Sequence, residues 1–177
     1  DIQCPGKNRS FYSGIVHLND NYIVLADFIN KTCSLYDSSY NLITSHQLPG
    51  TPDSMCSIGD NEFAVTMPDT NSVQFLSILD RFIRETGTVA FKHTCVGVDD
   101  VNREEIVVSG PCSDTQSNNK VCWSVITRSG NVKFHYEFDC LVTSYAFTAL
   151  DMSKSRVYIS VSNANAVYCF GLTDGKQ

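Results

Sequence analysis

The stretch that decides the fold is YIVLADFINKTCSLYD, residues 22–37, because the rest of the chain repeats its pattern. A strand of β-branched and apolar residues leads into a polar turn, and a second strand with an apolar or aromatic centre follows. The pattern recurs in EFAVTMPDTNSVQFLS (62–77), EIVVSGPCSDTQSNNKVCWSVI (105–126) and RVYISVSNANAVYCFG (156–171). Successive copies begin 40, 43 and 51 residues apart. Units of about 40 residues built from short strands are typical of β-propeller blades.

Each repeat is flanked by further strand patterns. A short apolar run precedes each copy (GIVHL, SMCSI, TCVGV, SYAFTAL), and an outer run follows the first three (NLITSHQL, FIRETGTVAF, NVKFHYEF). Helical periodicity is nearly absent. The sequence therefore predicts an all-β, single-domain propeller or partial propeller over residues 1–177, with blades at approximately 11–50, 51–92, 93–138 and 139–177.

The fourth repeat has no outer strand pattern, since the chain continues only as GLTDGKQ. The first residues are interrupted by Pro5 and Gly6, which makes them a poor replacement strand. We therefore expect an arc of four blades that does not close into a ring by itself and that can self-associate through its open edges.

Central strands covered on both faces are apolar runs rather than strict alternations. The second strand of each blade has this character. We predict that most of the following side chains are buried between blades: Val24, Ala26, Phe63, Val65, Val107, Tyr158 and Ile159.

Composition and charge exclude several classes of function. Hydrophobic residues make up 42% of the chain and charged residues 18%, as in globular proteins. The net charge is −6, and the 13 Lys and Arg residues form no cluster, which argues against nucleic acid and anionic membrane surfaces. No apolar run approaches the roughly 20 residues of a membrane-spanning helix.

The eight cysteines mostly lie inside apolar strand patterns, where a free thiol behaves as a small core side chain. A chain of this size needs no disulfides to fold. We predict at least six reduced cysteines and a cytoplasmic location. The alternative is an extracellular protein, in which Cys112 and Cys122 could form a disulfide across the SDTQSNN insertion.

The sequence indicates no catalytic, cofactor-binding or metal-binding residues. It contains no HExxH, CxxC, GxSxG or P-loop pattern, and its four histidines are far apart. Asp100, Asn102 and Glu104 have the opening spacing of a calcium loop, but Glu105 stands where glycine is required. We interpret this run as a solvated hairpin turn.

The strand–turn–strand core VLADFINKTCSLYDSSYNLI resembles an NHL repeat, through Asp27, Asn30, Tyr36 and Asp37. The second blade has Asp69 and Asn71 in its turn. Over residues 11 to 173 the chain resembles the NHL-type propeller of invertebrate tripartite-motif and B-box proteins, most of all in LPGTPDSMCSIGDNEFAVTMPDTNSVQFLSI. The resemblance implies that these six residues are structural repeat positions and that the arc is a fragment of a six-bladed ring.

The resemblance also implies a function, because such propellers recruit targets for a ubiquitin ligase whose RING domain is absent here. We therefore favour a non-enzymatic module that binds a protein partner and needs no cofactor. Three alternatives remain open: a calcium-dependent lactonase or esterase, an extracellular ligand-binding propeller, and RNA binding, against which the negative charge argues.

Overall fold

Four antiparallel sheets form a β-propeller in the computed structural model, which describes residues 9–112, 120–140 and 146–172 except for the side chains of 20, 146 and 163. In every sheet, each strand pairs with the next one along the chain. Sheet 1 contains β1 (Tyr12–His17), β2 (Ile23–Asp27), β3 (Thr32–Tyr36) and β4 (Leu42–Gln47). Sheet 2 contains β5 (Met55–Ser57), β6 (Glu62–Met67), β7 (Ser72–Leu79) and β8 (Phe82–Ala90).

The second half of the chain continues this arrangement. Sheet 3 contains β9 (Gly97–Asn102), β10 (Glu105–Pro111), β11 (Lys120–Thr127) and β12 (Val132–Asp139). Sheet 4 contains three strands within the described residues: β13 (Ala146–Leu150), β14 (Arg156–Val161) and β15 (Ala166–Gly171). The predicted all-β propeller fold with four visible blades is therefore confirmed.

A left-handed residue ends the turn before the third strand in three of the sheets. Lys31, Asn71 and Asn165 have φ angles of 52°, 48° and 47°. Asparagine tolerates this conformation better than most residues, which explains its recurrence in the repeat pattern. The turn before Asn71 is the 3-10 segment Pro68–Thr70, and the turn before Asn165 is Ser162–Ala164.

The core consists of three layers of side chains between consecutive sheets. In sheet 2, Phe63 and Val65 pack against sheet 1, whereas Ala64 packs against sheet 3. In sheet 3, Ile106 packs against sheet 2 and Val107 against sheet 4. Because neighbouring residues of a strand point to opposite faces, a blade with a neighbour on each side needs apolar residues at successive positions.

The predicted burial of the second strands is confirmed for six of the seven residues, which are fully buried: Val24, Ala26, Phe63, Val65, Val107 and Ile159. Tyr158 is the exception and is only half-buried. It lies on β14, where Val157, Ile159 and Val161 face sheet 3. Tyr158 alternates with these residues and so points away from sheet 3.

The first strands of all four sheets surround a central cavity of about 370 Å³, bordered by Ile15, Met55, Val98 and Thr148 among others. Extensive strand packing joins each sheet to the next one in chain order. Comparable strand packing between sheets 4 and 1 is not found among the described residues. The incomplete ring remains a prediction, which sedimentation in solution can test.

Seven of the eight cysteines are described, and all seven have free thiols. Six are buried, and Cys169 is partly exposed. Cys4 lies outside the described residues. Within the described ranges, no helix is long and apolar enough to cross a membrane.

Candidate functional site

The meander places one set of loops at a single end of the propeller. Because successive strands reverse direction, the turns β2–β3 and β6–β7 lie at the same end as segments 48–54 and 91–96, which join one sheet to the next. We call this the connector end. The hairpin turns β3–β4, β7–β8 and β11–β12 lie at the opposite end, which we call the hairpin end.

Asp27 and Asn30 form the β2–β3 turn at the connector end. Oδ1 of Asp27 accepts hydrogen bonds from the backbone N–H groups of Ile29 at 3.1 Å and Asn30 at 3.0 Å, and Oδ2 accepts one from Nδ2 of Asn30 at 2.7 Å. Burial opposes the charged form of Asp27, but hydrogen bonds from Asn30 and its neighbours outweigh it and lower the pKa of this carboxyl. This pair shapes the backbone of the turn.

Tyr36 and Asp37 lie far from that turn. The Tyr36 side chain is buried in β3. Asp37 lies in the β3–β4 turn at the hairpin end, where Oδ1 accepts hydrogen bonds from the N–H groups of Ser39 and Asn41, each at 2.9 Å. The four NHL-like positions of the first blade therefore stabilise turns and core at both ends, and the structure brings Asp27 and Asn30 together but places Tyr36 and Asp37 apart from them.

Asp69 has a different role from Asp27. The last two residues that pair across β2 and β3 before the turn are Asp27 and Thr32. The corresponding pair of β6 and β7 is Met67 and Ser72, so Met67, and not Asp69, is the equivalent of Asp27. Asn71 is the left-handed residue that ends the turn.

Asp69 holds the segment between sheets 1 and 2. Its Oδ1 accepts a hydrogen bond from the backbone N–H of Thr51 at 2.7 Å, and its Oδ2 accepts bonds from Oγ1 of Thr51 at 2.8 Å and Nζ of Lys31 at 3.0 Å. Asp69 therefore fixes the path of residues 48–54 across the connector end.

An apolar cavity of about 630 Å³ opens at the connector end between sheets 1 and 4. Several of its side chains are large, apolar and well exposed, among them Phe11 at 58% and Phe147 at 49%. The rings of Phe11 and Phe28 meet edge to face, with centroids 5.8 Å apart. We call it the aromatic cavity, and its lining is Phe11, Tyr12, Ser13, Phe28, Ile29, Asp53 and Phe147.

Asp53 is the acidic residue of this lining. Its side chain is buried, with the residue only 8% exposed, and Oδ2 has no hydrogen-bond partner among the described residues. Burial raises the pKa of Asp53 above its ordinary value. Among the described residues no Lys, Arg or His side chain forms an ion pair with Asp53, and Lys31 is paired with Asp69.

The backbone of Asp53 is rigidly held. Its N–H donates a hydrogen bond to the carbonyl oxygen of Thr66 at 3.0 Å, and the next N–H, that of Ser54, donates to Oγ1 of Thr66 at 2.9 Å. Thr66 is fully buried. On the other side, Oγ of Ser13 donates to the carbonyl oxygen of Pro52 at 2.8 Å. These bonds fix the backbone around Asp53 against sheets 1 and 2.

A second cavity of about 300 Å³ lies beside the aromatic cavity and shares Phe28 and Asp53 with it. Its other lining residues come from the segment between sheets 1 and 2, the β6–β7 turn, the segment between sheets 2 and 3, and the end of β10: Thr51, Pro68, Asp69, Thr94, Val96 and Pro111. Asp53 therefore borders two adjoining cavities, and the connector end carries a continuous concave surface.

Sequence reasoning missed Asp53 and the aromatic residues around it. Asp53 lies in the Leu-Pro-Gly-Thr-Pro-Asp run, where a Pro-Asp pair is an ordinary turn signal. Phe11 and Phe147 are 136 positions apart, and no local pattern relates them. The only available signal was that these residues lie near loops at one end of the predicted blades.

A third cavity, of about 330 Å³, lies on sheet 3 beside Cys112, Cys122, His93 and His135. Cys112 and Cys122 form no disulfide, although their thiols are hydrogen-bonded. Burial strongly raises the pKa of the Cys122 thiol. The described residues include no group of three or more His, Cys, Asp or Glu side chains that could hold a metal ion.

The calcium-like run forms a hairpin. Oδ1 of Asn102 accepts a hydrogen bond from the N–H of Glu104 at 2.9 Å, and Asp100 forms an ion pair with Lys154. Glu105, at the position where calcium loops have glycine, forms an ion pair with Lys133. Asn102 and Glu104 are exposed, as in a solvated turn, whereas Asp100 and Glu105 are half-buried.

No protein-family model matches the chain, and no curated protein matches it either. Its similarity to known proteins is therefore structural. The WD40 domain of Toxoplasma gondii coronin has a TM-score of 0.72 at 11% identity, over 95% of this chain and 43% of that one. Hydrazine synthase from Kuenenia stuttgartiensis has a TM-score of 0.73 at 11% identity, over 98% of this chain and 51% of that one.

A third similar structure is a putative 6-phosphogluconolactonase from Bacteroides uniformis, with a TM-score of 0.70 at 9% identity over 97% of this chain and 54% of that one. The chain spans about half the length of the solved structures it matches. These proteins include a WD40 domain and enzymes, and at such low identity they support the propeller fold alone.

Proposed function

We propose that this chain is a non-enzymatic module that binds a segment of a partner protein in the aromatic cavity. The observation that carries the proposal is the clustering of Phe11, Phe28, Ile29 and Phe147, which are 38–58% exposed around one cavity. Clustered exposed apolar side chains mark interaction sites, whereas single ones are normal on any surface. At the hairpin end, large exposed side chains such as Tyr40 and Phe82 lie on separate hairpins.

The openness of the rim favours a protein segment over a small molecule. Small-ligand sites enclose roughly 70–90% of their ligand. Here about half of the surface of Phe11, Ile29 and Phe147 lies open to solvent. A partner that inserts one side chain and covers the rim with its backbone would bury this surface and gain the free energy of removing it from water.

The resemblance to NHL-type propellers of tripartite-motif proteins supports a finer proposal. In this proposal the bound segment belongs to a cytoplasmic target that the module recruits for a ubiquitin ligase. The free, mostly buried thiols are compatible with a reducing compartment. The WD40-like architecture is compatible with protein binding.

The test is selection from a random peptide library displayed on phage, with the purified chain as bait. Selected peptides are then titrated against the wild type, Phe11→Ser and Phe82→Ser. The two phenylalanines are equally exposed at 58%, but only Phe11 lines the aromatic cavity. Phe82→Ser therefore controls for the loss of one surface aromatic residue.

We expect Phe11→Ser to weaken binding about tenfold or more, because losing one well-packed anchor costs more than 1.4 kcal/mol. Phe82→Ser should bind as the wild type does. Failure to enrich any peptide would overturn the proposal, and so would equal effects of the two variants.

A further inference from the structure

Asp53 bears on the chemistry of any ligand of the aromatic cavity, because its buried carboxylate forms no ion pair within the described part of the chain. A buried charge is costly unless another charge or hydrogen-bond donors compensate it. Other carboxylates at the connector end are compensated: Asp27 by the N–H groups of its own turn, and Asp69 by Thr51 and Lys31. Oδ2 of Asp53 has no hydrogen-bond partner and the carboxylate forms no ion pair among the described residues, yet its backbone is held in place on both sides.

The surroundings of Asp53 are those that an organic cation prefers. The cavity that it lines has the aromatic side chains Phe11, Phe28 and Phe147 in its walls. The face of an aromatic ring attracts an ammonium group, and this attraction is stronger where water is displaced. A cation seated there would gain the charge of Asp53 and the aromatic faces together.

We infer that the aromatic cavity receives the side chain of a lysine of the partner protein, with its ammonium group compensating Asp53 and its methylene chain packed along the phenylalanines. This inference rests on the proposed function and names the residue that the partner inserts. A lysine combines a compact charged group with an apolar stem, which matches a largely apolar lining that includes one buried acid. The uncompensated charge of Asp53 then selects the ligand and is neutralised when it binds.

The first test uses two small probes that isolate the two parts of this ligand. n-Butylammonium has the apolar stem and charge of a lysine side chain, and 1-butanol has a stem of the same length without the charge. Each is titrated into isotopically labelled wild type, Asp53→Asn and Asp80→Asn while the amide signals of Asp53 and Thr66 are followed by NMR. Asp80→Asn removes the same charge at the hairpin end, in a left-handed turn position that asparagine tolerates.

We expect Asp53→Asn to fold, because it removes an uncompensated buried charge at nearly constant volume. It should weaken n-butylammonium binding about tenfold or more and leave 1-butanol binding unchanged. Asp80→Asn should alter neither. Equal n-butylammonium affinity in wild type and Asp53→Asn would overturn the inference.

The second test separates this inference from the proposed function. Peptides selected on the wild type should be enriched in lysine, and replacing that lysine by norleucine should abolish the difference in affinity between wild type and Asp53→Asn. If Phe11→Ser weakens peptide binding but no lysine is enriched, the inference falls and the proposed function stands. If Phe11→Ser has no effect, the proposed function falls.

Discussion

Replacing Arg128 by alanine should destabilise the protein, because this side chain joins sheets 2 and 3. Its guanidinium donates two hydrogen bonds to Glu62, from Nη1 to Oε2 at 2.9 Å and from Nη2 to Oε1 at 2.8 Å. Its central carbon also lies 5.7 Å from the ring centroid of Phe75. The side chains of Arg128 and Glu62 are 26% and 35% exposed, so the pair is partly screened by solvent.

The magnitude follows from these contacts. An exposed ion pair contributes about 0.2–1 kcal/mol, and a two-bond arginine–carboxylate pair with reduced exposure lies at the upper end of that range. A cation–π contact adds about 0.5–1 kcal/mol. Arg128→Ala should therefore lower the free energy of unfolding by about 2 kcal/mol, and Glu62→Gln, which keeps the packing, by about 1 kcal/mol.

Urea denaturation followed by the fluorescence of the single tryptophan measures both values. Trp123 is fully buried in the layer between sheets 3 and 4, so its emission reports loss of the core. Arg84→Ala is the matched control, because Arg84 is exposed on β8 and has no ion pair within the described part of the chain. Its effect should stay within about 0.5 kcal/mol.

The pH dependence gives an independent check. The hydrogen bonds from Arg128 lower the pKa of Glu62 below its ordinary value of 4.5. A carboxyl whose pKa is lowered by folding stabilises the protein above its ordinary pKa, and this contribution disappears as the pH falls through the folded-state pKa. The stability difference between wild type and Glu62→Gln should therefore shrink below about pH 4.5. A cost of Arg128→Ala below about 0.5 kcal/mol would refute this reasoning, and so would additive costs when Arg128→Ala and Glu62→Gln are combined in one protein.

Three further predictions concern the core, the thiols and the ring. Ile159→Ala should cost about 2–4 kcal/mol in urea denaturation, whereas Val167→Ala, at a position 65% exposed, should change little; similar costs would contradict the assigned faces of sheet 4. Thiol titration of unfolded, unreduced protein should find at least six of the eight cysteines free, and fewer than about four free thiols would favour the extracellular alternative. Sedimentation should show concentration-dependent self-association, because an open arc exposes apolar blade faces; a monomer with a sharp, concentration-independent melt would contradict the open arc.

The sequence by itself determined the blades, because their signals are local. Successive apolar residues in Phe63–Val65 predicted a strand covered on both faces, and Asn71 lay in the turn predicted to follow that strand. It also identified Asp27 and Asn30 as turn residues, since their hydrogen bonds span only three positions. Each of these features depends on neighbours within a few residues, so the order of residue types carries the information.

Tertiary structure alone decided the candidate site. Phe11, Asp53 and Phe147 border one cavity because the meander returns three distant segments to the connector end. Tyr158 is half-buried because the two faces of β14 have different neighbours, although its strand has the same pattern as the others. That Asp53 has no charge partner among the described residues depends on the side chains around it in space. A pattern of neighbours along the chain cannot encode that, because burial and charge compensation are set by the residues that folding brings together.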